Sequence, residues 1–121
     1  MADVIDEITF SQLLEIDDYD FAKGIVDEYF QQAKDVIGRL ESLLTERDWV
    51  DIGRVGHHLK GSSAAVGAAV VRDICDSIQH YDTVSKNRDP SLFLRRKIDG
   101  LKAAIPIAEQ ALTERFAALA T

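Results

Sequence analysis

An all-α fold, an antiparallel four-helix bundle with a short N-terminal helix packed against it, is what this sequence predicts, and three features predict it. Apolar residues recur at alternating spacings of four and three through most of the chain, the period of a helix that buries one face. Period-two alternation and dense turn signals, the marks of strands and hairpins, are scarce. Short polar connections join long helical segments, which makes neighbours antiparallel. At 121 residues the chain has room for one hydrophobic core, so residues 1–121 read as a single domain.

The first helix opens at Thr9, which with Gln12 has the spacing of a capping box, and Ile8 and Leu13 are placed as its hydrophobic staple. It ends near Ile16. Asp17, Asp18 and Asp20 then supply a cap and dipole-compatible charge to a second helix that runs to about Glu46 on the stripe Val26, Phe30, Ala33, Ile37, Leu40, Leu44. Asp48 caps a third helix and Asp51 adds a carboxylate to its first turn. Ile52, Val55, Leu59, Ser63 and Val66 share its inner face, and Gly67 ends it. A fourth helix turns Val71, Ile74, Cys75 and Ile78 inward and stops in the polar stretch 83–88. Asp89 and Pro90 read as N-cap and first helical residue of a long last helix carrying Leu94, Ile98, Leu101, Ile105, Ala108 and Leu112. Pro106 is expected to kink it. No internal repeat, low-complexity segment or linker is evident.

The formal charge is −7, from 21 acidic and 14 basic residues, which disfavours a phosphate-backbone partner, so nucleic acid is not expected. No run approaches the ~18 consecutive apolar residues of a membrane span, and a soluble protein with no membrane association is expected. The lone cysteine, Cys75, has no partner for an internal disulfide, and the first residues lack the charged and apolar regions of a secretory signal. Both fit a reducing, intracellular compartment.

The segment Gly56-His57-His58-Leu59-Lys60-Gly61-Ser62-Ser63 sets two histidines, a lysine and two glycines inside one helix. At ~100° per residue His57 projects roughly 175° from the centre of the apolar face and His58 roughly 85°. His57 therefore faces solvent, with Lys60 and Gly61 as its neighbours at i+3 and i+4. A mid-helix glycine costs about 1 kcal/mol relative to alanine. Gly61 would leave room for another protein's active site to reach the imidazole, and Lys60 would offer an ammonium to a phosphoryl oxygen. The same residues also read as a solvated helix face, with Gly61 serving close helix packing, and spacing alone does not choose. Ser62 and Ser63 turn to the packing side, where their hydroxyls can back-bond to the helix, and are not assigned as nucleophiles.

The run His57-His58-Leu59-Lys60-Gly61-Ser62-Ser63-Ala64-Ala65-Val66-Gly67 resembles the H-x-L-K-G-S-S-x-x-L-G signature of histidine-containing phosphotransfer (HPt) domains. Asp20 and Phe21, with Lys23 and Gly24 behind them, and Ile78-Gln79 after the signature resemble the fungal phosphorelay intermediates more than the plant ones. The resemblance covers roughly residues 8 to 119. The connection from Thr83 to Asp89 departs from some fungal relatives, which carry a long acidic insertion there.

What the resemblance implies is a phosphoryl carrier of a multistep two-component phosphorelay. His57, not His58, matches the phosphorylated position, in agreement with the helical geometry. Lys60 would help neutralise the phosphoryl group, Gly61 would make room for the incoming receiver domain, and Gln79 would hydrogen-bond one imidazole nitrogen. The donor would be a receiver-domain phosphoaspartate of a hybrid sensor histidine kinase, and the acceptor the aspartate of a response regulator. The sequence holds no P-loop or kinase-type glycine loop, so no ATP site, cofactor or metal of its own is expected. Magnesium would belong to the partner receiver, and catalysis largely with it. A monomer in the cytoplasm, and in the nucleus as well, fits this role.

Docking should use apolar residues that the stripes leave spare. Ile25, beside Glu28 and Gln32, is one, Leu13 and Ile16 extend the patch, His58 lines it and Asp76 lies at its rim. Each apolar member also reads as a seal between the first helix and the bundle. Three rivals stand beside the carrier: a helical adaptor that binds receivers without accepting phosphate, an HPt domain excised from a hybrid sensor kinase, and a metal-dependent enzyme. The capped first helix favours a free-standing protein over the second. The third is weak, because adjacent His57 and His58 cannot face one metal and His80 has no H-x-x-x-H partner.

Overall fold

The computed structural model describes residues 3–16 and 18–120. Among these residues six helices follow one another: α1 (Glu7–Ile16), α2 (Tyr19–Glu46), α3 (Trp49–Val66), α4 (Ala69–Gln79), α5 (Tyr81–Ser85) and α6 (Ser91–Leu119). The first begins earlier than expected. Asp6 is its cap, its carboxylate accepting the Thr9 N–H at 3.2 Å, and Ile8 lies 73% exposed, so neither the Thr9–Gln12 box nor the Ile8–Leu13 staple forms. Asp6 is already fixed by its own backbone, whose N–H donates to the Gly67 carbonyl at 2.8 Å, and this places a carboxylate one turn before the expected cap.

The second and third helices start as their acidic residues dictate. The Asp18 carboxylate accepts from the Phe21 N–H at 2.8 Å and that of Asp48 from the Asp51 N–H at 3.1 Å. The expected Asp17 lies outside the described residues. Arg47 closes α2 in the left-handed region (φ 59°) and Gly67 closes α3 there (φ 79°). At Gly67 a Cβ would also stand 3.1 Å from the Asp6 carbonyl, so the αL turn and the close approach both call for glycine.

The fourth helix is shorter than expected. It stops at Gln79, and α5 follows after His80, whose ring Nδ1 lies 2.9 Å from the Asp76 carbonyl at the helix end. The polar stretch 83–88 is thus not its end but the second half of α5 and the turn behind it. In α6 the Asp89 carboxylate accepts the Ser91 N–H at 2.9 Å while Pro90 occupies the cap, one residue later than expected. The helix runs unbroken through Pro106, which is exposed.

Every expected core residue of α3 and α6 is buried, as are Val26, Phe30, Ala33 and Leu40 of α2; Ile37, Leu44 and Ile74 are half-buried. α2 packs on α3 and α6, and α4 packs on the same two, which closes a four-helix ring. α1 lies across α3 and α2, held by Phe10, whose buried ring meets that of Phe116 edge-on at 5.4 Å. The preceding segment bridges Ile5 to Ala68 at the α3–α4 turn. Along the outer seam between α2 and α6, Glu41 takes hydrogen bonds from Arg95 and Lys102.

The closest helix contact is between α3 and α4. A Cβ on Gly56 would lie 2.9 Å from Ile78 Cγ2, 3.2 Å from the Cys75 carbonyl oxygen and 3.3 Å from the Gln79 nitrogen. Gly61, five residues on, has nothing within 4 Å of such an atom. Gly61 therefore does not serve helix packing, whereas Gly56 does.

Two stability predictions follow from these contacts. Gly56→Ala should destabilise the protein by about 1–3 kcal/mol through overpacking, while Gly61→Ala should stabilise it by about 1 kcal/mol through helix propensity. Urea unfolding of the two variants checks the opposite signs. The Arg95 and Lys102 hydrogen bonds hold the Glu41 carboxyl down to about 2, against the ordinary 4.5. A lowered carboxylate contributes above its unfolded pKa and loses that contribution as pH falls through the folded one. The stability gap between wild type and Glu41→Gln should therefore be full at pH 7, shrink below about pH 4.5 and close near pH 2, as read from melting temperatures across that range.

Candidate functional site: the outer ridge of α3

Because Ile52, Val55, Leu59, Ser63 and Val66 turn inward, the opposite face of α3 presents Arg54, His57, Gly61 and Ala64 to solvent. His57 is exposed, as the helical geometry requires. His58 is exposed as well, its ring centroid 6.1 Å from that of His57. Gly61, with open space above it, leaves the C-terminal side of His57 clear.

An open hollow of about 410 Å³ lies beside His57, bounded by Val50, Gly53, Arg54 and His58 on α3 and by Gln79 and Tyr81 across from them. The α3–α4 approach at Gly56 carries Gln79 here. The hydrogen bond expected between Gln79 and the imidazole is not formed: Gln79 Oε1 is buried without a hydrogen-bond partner among the described residues. Lys60 is occupied. Its Nζ donates to Asp76 Oδ1 at 3.1 Å, and that hydrogen bond holds the Asp76 carboxyl below its usual range. The His80 Nδ1 stands 3.3 Å from the same carboxylate oxygen.

The serines divide. Ser62 back-bonds to the His58 carbonyl at 3.3 Å, as expected. Ser63 does not: fully buried, it shares a 2.6 Å hydrogen bond with the Tyr29 hydroxyl across the α2–α3 interface. Burial pushes the Tyr29 phenol up, so the pair stays neutral.

On the flank of α3 that faces α2, a groove of about 280 Å³ is lined by Ile25, Glu28 and Gln32 together with Ser62 and Ala65. Three of the expected docking residues are thus brought together beside the histidine ridge. Asp76 lies on the opposite flank, bound to Lys60, and His58 lines the hollow. On α1, Ile16 is 82% exposed, whereas Leu13 is half-buried against the core and seals the helix in place. Sequence reasoning left Phe21 and Arg54 out of the site. Phe21 is 59% exposed and shares the outer stripe of α2 with Ile25, Glu28 and Gln32 at spacings of four, three and four. An aromatic in that register was a readable signal. For Arg54 the signal was its position three residues before His57.

Comparison with known proteins bears on this arrangement. The multistep phosphorelay regulator 1 of Schizosaccharomyces pombe is 42% identical over 89 residues, covering 71% of this chain and 30% of that protein. The phosphorelay intermediate protein YPD1 of Saccharomyces cerevisiae is 35% identical over 65 residues, 53% of this chain and 39% of that protein. The chain thus spans well under half the length of these two curated relatives. A co-crystal structure of the Saccharomyces cerevisiae histidine phosphotransfer signaling protein Ypd1 with the receiver domain of its downstream response regulator Ssk1 superposes with a TM-score of 0.86 over 96% of both chains. At 18% identity that match speaks for the fold, a helical bundle of the same architecture. The Hpt domain model matches residues 24–119, a span that takes in the histidine ridge, the glycine-packed α3–α4 contact and both flanking helices, and the chain is a member of that family.

Proposed function

We propose that the chain is a phosphoryl carrier in a multistep phosphorelay: His57 accepts a phosphoryl group from a receiver-domain phosphoaspartate and passes it to the aspartate of a response regulator. The observation that carries this reading is a solvent-facing imidazole in mid-helix with empty space over Gly61 one turn away. A neutral imidazole attacks an acyl phosphate without a general base, the new N–P bond forming as the aspartyl O–P bond breaks and the carboxylate leaves with the electron pair. The return step runs the same exchange in reverse. The chain acts as carrier rather than enzyme, with magnesium and most of the catalysis on the partner receiver.

The neighbours take supporting roles. Lys60 is one turn from His57 and its exposed pair with Asp76 is weak enough to exchange for a phosphoryl oxygen. Gly61 gives the receiver its clearance. Gln79, across the hollow, is placed to turn its amide toward the imidazole once the ring is charged by phosphorylation. Docking is assigned to the α2 side of the ridge, on Ile25, Glu28, Gln32 and Ile16, with His58 at its rim and Leu13 holding α1 beneath, while Asp76 on the opposite flank edges the ridge from the α4 side. That a relative of this fold has been crystallised with a receiver domain supports such a partner. No helix among the described residues is long and apolar enough to cross a membrane, and we place the carrier, as a monomer, in the cytoplasm with access to the nucleus.

Two experiments test the assignment. Incubation with a phosphorylated receiver should give an acid-labile, alkali-stable label on wild type and none on His57→Gln. A folded wild type that binds the receiver and never takes label would make the chain an adaptor. Ile25→Ala and Ile16→Ala should each weaken receiver binding by about 1–2 kcal/mol, measured calorimetrically. Unchanged affinity in both would move the docking surface elsewhere.

A further inference from the structure

Side chains on a helix lean toward its N-terminus, so the His57 ring lies over the turn that holds Gly53 and Arg54. The hollow is on that side: Gly53 and Arg54 line it, and Lys60 does not. A group attached to the solvent-facing nitrogen of His57 would therefore extend over the hollow, where the Tyr81 ring packs 3.5 Å from the Cβ position of Gly53, beside a guanidinium three residues back on the same helix face.

The two cations near His57 differ in readiness. Lys60 is 31% exposed and hydrogen-bonded to Asp76 on α4, whose carboxylate also faces His80. Arg54 is 73% exposed and, among the described residues, held by an i,i+3 contact with Asp51 at 3.2 Å, also on α3. Its planar fork of donors matches phosphoryl oxygens in pairs, which an ammonium cannot do. We propose that Arg54 is a further phosphoryl-binding residue, which leaves Asp51 to clamp the phosphoryl group on His57 within the hollow, with His58 and Gln79 as its other polar walls. This rests on the carrier reading of His57 and adds a residue to it.

Phosphoramidate, which labels histidine without a protein partner, separates the two claims. Neutral imidazole attacks phosphorus, the phosphoramidate N–P bond breaks, ammonia leaves with its electron pair and the ring keeps its own proton. Wild type, Arg54→Gln, Arg54→Lys, Lys60→Gln and His57→Gln are labelled and titrated by ³¹P NMR between about pH 5 and 9, across the last phosphoryl ionisation at about 6. A guanidinium contact favours the dianionic phosphoryl group, so in Arg54→Gln the last phosphoryl proton should leave at a pH higher by about 0.5 to 1, a threefold to tenfold change in its acidity. Arg54→Lys should recover part of this, and Lys60→Gln should move the titration less than Arg54→Gln does. Superposition of Arg54→Gln on wild type, or a shift confined to Lys60→Gln, would overturn the assignment of Arg54 while leaving the carrier intact. A wild type that takes no label, or a ³¹P signal left unchanged by His57→Gln, which would put the phosphoryl group on His58 or His80, would overturn both.

Discussion

The site depends on the contact of α3 with α4 at Gly56. With Ile78 Cγ2 and two backbone atoms of α4 standing where a Cβ would go, the helices meet nearly backbone to backbone. Packing at that distance is dense and admits little sliding or rotation. It fixes the rotation of α3, so that the residue after Gly56 points away from the bundle, and it draws Gln79, whose nitrogen touches the same spot, to the edge of the histidine's hollow. Two glycines five residues apart thus do opposite things. Gly56 admits a neighbouring helix of the same chain, and Gly61 keeps the outer surface bare.

On its other flank α3 is registered by a polar device. Ser63 and Tyr29 are buried, and among the described residues their hydroxyls are hydrogen-bonded to each other in that interface. Removing either leaves an unpaired buried group, which costs about 1–3 kcal/mol, so the pair favours one sliding position of α2 along α3 over its neighbours. That position sets Ile25, Glu28 and Gln32 opposite Ser62 and Ala65, one turn and more along the ridge from His57. The apolar stripes alone would tolerate several registers; the glycine contact and the hydroxyl pair narrow them.

Much of this was legible in the sequence. The stripes of α3 and α6 named their buried residues, the acidic cluster of Asp17, Asp18 and Asp20 and the single Asp48 marked the starts of α2 and α3, and the apolar arc of α3 placed His57 in solvent. What failed was local competition. Thr9 fits a capping box, yet Asp6 takes the role because a long-range bond to Gly67 fixes it first. The division of α4 from α5 at His80 depends on a side chain meeting the helix end, which no periodicity reports. Within the site, exposure was readable and pairing was not. Lys60 is rightly beside His57, but its salt bridge joins residues sixteen apart in sequence, and Gln79 lies at the hollow without the bond expected of it. Gly56 went unremarked because a glycine's packing partner lies on another helix.

The ion pairs sort by what they hold. On the α2–α6 seam Glu41 gathers Arg95 and Lys102, and Arg95 reaches Asp99 as well, a network whose members support one another. Around His57, among the described residues, each cation sits in one surface contact, Arg54 with Asp51 and Lys60 with Asp76. An isolated surface pair is worth at most about 1 kcal/mol, so exchanging its carboxylate for the phosphoryl group proposed on His57 would meet little resistance. Both carboxylates stay in water when their cations leave and incur no burial penalty. On a chain of net charge −7 that is a requirement as much as a convenience. The phosphoryl dianion proposed for the ridge would need local positive charge that is present but not committed, and weak pairing at the rim would supply it without weakening the seam that keeps the bundle together.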